Sequence, residues 1–316
     1  MPNIPIFAAV GGYELHELKD IFIMQGFAGL TLFSVFLLMA LGLVIIFGQM
    51  KVINMAHGEF LTAGAYTTVF LSKMTQTYLP KLMPIYFPIA MLAAFGVAFL
   101  IGWIVEYLLI RHLYSRPLDT LLATWGISML MRETFRLLFG AREAGAVMPN
   151  WLMGSLSPSE GLDIPINGIF LLSTAVFMTL FIFFLLQRSH WGLCVRATLV
   201  DRTMANAVGI NTARTDRMTF AIGCGLAGIA GAAFTTYSSV SPSAGSLYII
   251  DSFIVVVFGG AGNILGTVLS AFGIAQAQSI LEFFTSGVIA KVMVLLTVIV
   301  ILMIRPQGLI ATKIRR

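Results

Sequence analysis

RSHWGLCVRATLVDRTMANAVGINTARTDR, residues 188–217, is the one long polar segment in an otherwise apolar chain. It holds Arg188, Arg196, Arg202, Arg214 and Arg217 against only Asp201 and Asp216. The 316-residue chain around it is 58% hydrophobic and only 10% charged, with a mean hydropathy of +0.93, whereas a soluble domain carries roughly 25% charged residues. This composition specifies a polytopic membrane protein, an all-α bundle of transmembrane helices forming one domain over residues 1–316. Lys and Arg bias a short loop against translocation, so 188–217 is expected on the cytoplasmic side and fixes the orientation of the rest. The net charge of +5 follows from such loops and does not point to nucleic acid.

The loop is too structured for a tether. Between 195 and 208 good helix formers carry Val195, Leu199, Met204 and Val208 at the spacing of an apolar stripe. Gly209, Ile210 and Asn211 then resemble a helix stop. A short amphipathic helix bounded by arginines suits a soluble docking partner; a helix lying on anionic lipid headgroups has the same pattern.

Reading outward, apolar runs fall at 22–48, 84–110, 118–139, 167–187, 218–240, 267–284 and 288–304, each near the roughly twenty residues a bilayer needs. Two further runs are short. Residues 61–71 follow the polar interruption QMKVINMAHGEF, and 249–258 are broken by Gly259, Gly260, Gly262 and Asn263. Residues 73–83 would be an external turn, and the proline-containing stretch 140–164 an external loop. Arg132, Glu133 and Arg136, near the outer end of the fourth run, are explained by snorkelling to headgroups. The acidic stretch 1–20 is unlike a signal-peptide start, so the first run is expected to be a retained anchor with the N-terminus outside. Arg305, Lys313, Arg315 and Arg316 place the C-terminus inside. An odd number of crossings follows: nine if 249–258 crosses, within a range of eight to ten.

Gly223, Gly225 and Gly228 match GxGxxG, but that motif binds a dinucleotide only after a strand. Inside an apolar run, with Ala227/Gly231 and Gly228/Ala232 as small-xxx-small pairs, they predict close helix packing. Cys194 and Cys224 are the only cysteines and fall in different environments, so neither a disulfide nor a zinc site is expected. No nucleophile or metal spacing appears, which argues against an enzyme, and no cofactor is expected.

Two interrupted helices, one in each half, point to a midplane pathway, because unwound backbone survives in a membrane only where protein or water satisfies it. The first interruption brings Asn54 and His57 together, and the following helix would set Glu59, Thr62 and Tyr66 on one face. The second puts Asp251 at a helix start, where a carboxylate also serves as a plain cap. For His57 and Glu59, a mutual structural hydrogen bond and contact with a solute are equal readings. Thr235 and Tyr237 close the small-residue helix with hydroxyls that line a path or cap at the interface. The chain has no GxxxxGK[ST]; energy is expected from elsewhere, and a helix in a basic loop suits a permease driven by a separate ATPase.

INMAHGEF with LTAGAYTT (53–68), RPLDTLLATWGIS (116–128), WGLCVRAT with DRTMANAVGIN (191–198 and 201–211), DSFIVVVFGGAGNILGT (251–267) and RPQGL (305–309) resemble the permeases of the branched-chain amino acid and urea class of ABC importers. The likeness runs in order from about Gly29 to Leu309. RPLDTLLATWGIS and the DSFIVVVFGG form are more similar to the urea permease, first of its two membrane subunits. The resemblance implies an inverted-repeat fold in a bacterial inner membrane. It also implies a homologous second permease, two cytoplasmic ATPases, an extracytoplasmic substrate-binding protein and membrane lipid as partners. It further implies a coupling helix of pattern EAA-x-x-x-G entering the ATPase. Thr203, Met204 and Ala205 hold the EAA positions and Gly209 the glycine, with Asp201 just before and Arg196 upstream; the Glu and first Ala are absent. Urea is the expected substrate, since Asn54, Thr62, Tyr66, Thr235 and Tyr237 offer donors and acceptors without full charge. A branched-chain amino acid is the alternative, and an ion-coupled carrier or a passive urea channel are readings of other classes.

Overall fold

A computed structural model describes residues 15–114, 116–159 and 162–310. Residues 1–14 and 311–316, which carry part of the charge behind the expected placement of the termini, lie outside the described residues. The helices are α1 (Leu15–Met50), α2 (His57–Tyr78), α3 (Tyr86–Leu108), α4 (Pro117–Phe139), α5 (Ile166–Arg188), α6 (His190–Val200), α7 (Arg202–Ala207), α8 (Thr212–Phe234), α9 (Ala244–Gly259), α10 (Ile264–Phe284) and α11 (Gly287–Ile304). Among the described residues a small antiparallel hairpin, β1 (Ser155–Ser159) with β2 (Leu162–Pro165), and an isolated bridge between Ala144 and Val240 interrupt an otherwise helical chain.

Six helices, α1, α3, α5, α8, α10 and α11, are long and apolar enough to cross a membrane. α2 and α4 are as long, at 22 and 23 residues, but more polar, and α9 has 16. Of the nine crossings expected, six are thus met by helices of spanning length and apolarity among the described residues, with α2, α4 and α9 more polar or shorter. Two element boundaries differ from expectation. α2 runs on through polar residues to Tyr78, so its apparent shortness reflected composition and not length. α9 begins at Ala244, because the Gly245 amide finds the Thr62 hydroxyl at 3.0 Å and helical backbone extends into a stretch that reads as a polar turn.

α1 and α8 form the centre: 89% and 83% of their apolar windows are buried, against 17% for α11. They meet where a Cβ on Gly42 would fall 2.3 Å from the Gly223 carbonyl oxygen, and one on Gly223 would fall 2.8 Å from that of Gly42. α2 and α9 meet as reciprocally, at Gly58 and Gly245, each glycine's Cβ position lying 2.2 or 2.1 Å from the other's carbonyl oxygen. α3 packs on α8 as α10 packs on α1, and α2 packs on α8 as α9 does on α1. Helices α1–α4 and α8–α11 therefore repeat one another's pairings, α1 corresponding to α8, α2 to α9 and α3 to α10.

The glycines of α8 serve this packing. Gly228 faces the Ala94 carbonyl of α3 at 2.4 Å from a would-be Cβ, and Gly231 faces that of Leu61 at 1.9 Å. No side chain fits, and backbones approach as small-residue seams in membranes do. The GxGxxG coincidence is a packing surface.

Candidate functional site

The chain leaves α1 at Lys51, whose φ of 54° is left-handed, and returns at His57 to start α2. Asn54 builds this break: its side-chain carbonyl accepts from the Ala56 amide at 3.1 Å, its backbone carbonyl from the His57 amide at 3.3 Å. Thr124 of α4 receives the Met55 amide at 3.1 Å. His57 Nε2 lies 3.2 Å from the Met39 carbonyl of α1; a carbonyl only accepts, so Nε2 carries the proton and Nδ1 is left as an acceptor.

Glu59 does not bond His57. Its Oε1 accepts from Ser128 at 3.1 Å and pairs with Arg132 at 3.5 Å, both on α4. Tyr66, one further turn pair along, stacks on Phe139 of α4 with centroids 4.3 Å apart. Thr62 turns away to α9. The single face expected for Glu59, Thr62 and Tyr66 is thus two faces, because α2 is wedged between α4 and α9. Arg132, attributed to snorkelling from sequence, is instead the counter-charge of a carboxylate only 1% exposed. The i,i+4 placement of Ser128 and Arg132 was the available signal. Asn54 Nδ2, His57 Nδ1, Glu59 Oε2, Tyr66 Oη and Arg132 Nε are buried without a protein partner. Those of Glu59, Tyr66 and Arg132 belong to the α2–α4 contact, while the His57 ring packs against α1 and Asn54 sits in the break; unpaired groups of this kind are able to exchange hydrogen bonds with a guest.

A second polar cluster belongs to the other half. Asp251 sits in the middle of α9 and caps nothing; its Oδ2 receives Lys291 Nζ of α11 at 2.7 Å. With Tyr237, Tyr248, Gln278 and Glu282 they line a cavity of about 280 Å³. Thr235 and Tyr237 separate here. Thr235 is buried and donates to the Ala232 carbonyl at 2.7 Å, closing α8, while half-exposed Tyr237 borders the cavity. In each half an acid on the second helix pairs with a base on the fourth.

The polar loop folds as two helices and not one. Asp201 adopts extended backbone between them, and its carboxylate accepts from the Thr203 and Met204 amides at 2.8 and 3.0 Å, starting α7 anew. α7 ends in a Schellman motif: Gly209 at φ 88° donates to Asn206, and Ile210 to Ala205, each at 3.0 Å. Asn211 then caps α8. The expected apolar stripe is not buried: Val195 is, but Leu199, Met204 and Val208 are exposed, Val208 at 76%. Ala205 is the buried foot of α7, and Arg196 donates to the Leu186 carbonyl, tying α6 to the end of α5.

Below α7, Arg202 pairs with Asp216 of α8 and lies over the Tyr114 ring at 5.2 Å. Tyr114 donates to Glu106 at 2.7 Å; burial first, and then the Glu106 charge, hold its phenol protonated for that bond. Glu106 also receives Arg217 at 2.9 Å. A continuous charged chain thus joins α7 to the ends of α3 and α8. Among the described residues no group of three His, Cys, Asp or Glu side chains could hold a metal.

Two halves with matching helix pairings, polar groups on facing apolar helices and an exposed short helix anchored on their ends define a multi-pass membrane transport permease. The chain belongs to the family described as "Branched-chain amino acid transport system / permease component", which it matches over residues 26–303. It is 26% identical to the "High-affinity branched-chain amino acid transport system permease protein LivH" of Salmonella typhimurium, over 92% of this chain and 95% of that protein. It is 27% identical to the corresponding protein BraD of Pseudomonas aeruginosa, with 92% and 95% covered. A "Probable branched-chain amino acid transport permease protein LivH" of Methanocaldococcus jannaschii is 27% identical, with 93% and 94% covered. No solved structure matches the chain.

Proposed function

We propose that the chain is the membrane permease subunit of an ABC importer that carries branched-chain amino acids inward across the cytoplasmic membrane. The observation that carries the coupling is α7: a capped helix whose Met204 and Val208 stand exposed while Ala205 and the Arg202–Asp216 pair fix it to α8. An exposed apolar tip on a rigid foot is suited to enter a cleft of a cytoplasmic ATPase. Two ATPases closing on ATP would draw two such helices together, one from this chain and one from a homologous second permease. The halves would then rock and open toward an extracytoplasmic binding protein, and hydrolysis would reset the inward-facing state. Loop 188–217 and the C-terminus face the cytoplasm in this reading. The polar groups from Asn54 to Tyr66 with Arg132, and the Tyr237–Asp251 cavity, are the pathway; Arg196, Asp201, Ala205 and Gly209 shape the coupling element.

The substrate class is supported by the names of the relatives, all of them branched-chain amino acid permeases. Urea is the second reading, favoured by the unpartnered donors and acceptors of Asn54, His57 and Tyr66, which suit a neutral solute that hydrogen-bonds at every edge. Labelled leucine and urea uptake would be measured in cells deleted for the chain and complemented with it, or with Met204→Glu/Val208→Glu. Both side chains are exposed, so the variant is expected to assemble within about 0.5 kcal/mol of the wild-type stability yet lose concentrative leucine uptake. Restored urea uptake without leucine uptake would exchange the two substrates. Normal uptake by the variant would refute the docking role of α7.

A further inference from the structure

The cavity between α1, α9, α10 and α11 has two chemically different walls. One carries Lys291 and Asp251 in contact at 2.7 Å, with the Gln278 amide bonded to Glu282 at 2.9 Å beside them. The other is apolar, built from Leu32 and Phe36 of α1, while Leu247 of α9 lies beside the ion pair with its carbonyl 3.4 Å from Lys291 Nζ. A neutral polar solute needs neither the opposite charges nor the apolar wall. A zwitterion with an aliphatic side chain needs both: its two charges replace the two halves of an ion pair without adding net charge to a membrane interior, where an unpaired charge is costly. The cavity volume, about 280 Å³, lies near the lower bound of small-molecule sites, about 300 Å³. Asp251 is held in place by burial within α9, whereas the Lys291 side chain is 40% exposed and carries its ammonium on a flexible stem. Lys291 is therefore the arm able to leave Asp251 and take up an incoming anion.

We propose that this cavity is a seat for an aliphatic zwitterion, whose carboxylate takes Lys291, whose ammonium takes Asp251, and whose side chain lies against Leu32 and Phe36. It rests on the amino acid reading above and adds to it the residues that choose the substrate. Lys291 is the specificity-determining residue, since it is the cation among the side chains lining the cavity.

The test uses the assembled transporter in proteoliposomes, with leucine uptake challenged by leucinamide, which keeps the ammonium and lacks the carboxylate. Wild type is expected to prefer leucine by about tenfold or more, and Lys291→Gln to lose that preference while Lys291→Arg retains it. Asp251→Asn/Lys291→Gln, which removes both charges and strands neither, is the variant for the case that Lys291→Gln does not assemble, and it too should lose the preference. An assembled Lys291→Gln or Asp251→Asn/Lys291→Gln variant that discriminates as wild type does overturns the seat. A wild-type complex that moves urea but no leucine overturns the amino acid reading and the seat with it; a wild type that moves leucine with unchanged discrimination in both variants overturns the seat alone.

Discussion

Gly231→Ala is the sharpest test of how α8 is held. The added Cβ would fall 1.9 Å from the Leu61 carbonyl oxygen and 2.8 Å from the Ala65 amide nitrogen, both backbone atoms of α2, where real Cβ atoms approach no closer than 3.0 Å. No rotamer relieves a clash with backbone, so α2 and α8 must part by the difference between 3.0 and 1.9 Å, 1.1 Å. Overpacking of this kind costs about 1–3 kcal/mol. Alanine's helical advantage over glycine, roughly 1 kcal/mol, offsets only part of it. Gly126 in α4 has no atom within 4 Å of its would-be Cβ, so Gly126→Ala has the helical advantage and no clash, and the two substitutions should move stability in opposite directions. The assay is thermal unfolding of the purified protein in detergent, followed as loss of the monodisperse species. Gly231→Ala is expected to unfold roughly 2–6 °C below wild type, and Gly126→Ala at or above it. Equal midpoints for the two variants would refute the backbone seam between α2 and α8.

Glu59→Ala strands Arg132, which is about a third exposed and so only partly relieved by solvent; a double-mutant cycle with Arg132→Met should return a coupling of about 1–3 kcal/mol, and additive effects would show that the two do not interact. Asp216→Asn releases Arg202 from α8. ATP hydrolysis by the assembled complex should persist while solute moved per ATP falls about tenfold, and unchanged stoichiometry would remove the charged chain from the coupling route. Cys224 is fully buried and Cys194 partly exposed, so a membrane-impermeant maleimide should label Cys194 alone, and only when the face carrying loop 188–217 is accessible. Labelling of intact cells from outside would invert the proposed orientation.

Sequence alone determined the class of molecule and most of its elements. Apolar runs of bilayer length register one helix each whatever packs beside them, and the helix stop at Gly209 and the close packing of the α8 glycines are local or one-helix properties. The chain order of the motifs was enough to point to the family. Only the tertiary structure decided which polar groups share a site. Asp251 became an ion-pair partner because α9 starts earlier than its composition says, a start stabilised by the Thr62–Gly245 bond from 183 positions away. Arg132 looked like an interface charge and Lys291 carried no signal, since a sequence does not show that a buried carboxylate waits on the next-but-one helix. The single stripe expected along the basic loop split at Asp201, because capping two amides there outweighs continuing one helix, and that split leaves Met204 and Val208 facing outward. Burial and pairing across helices depend on atoms distant in the chain, and no periodicity within one segment encodes them.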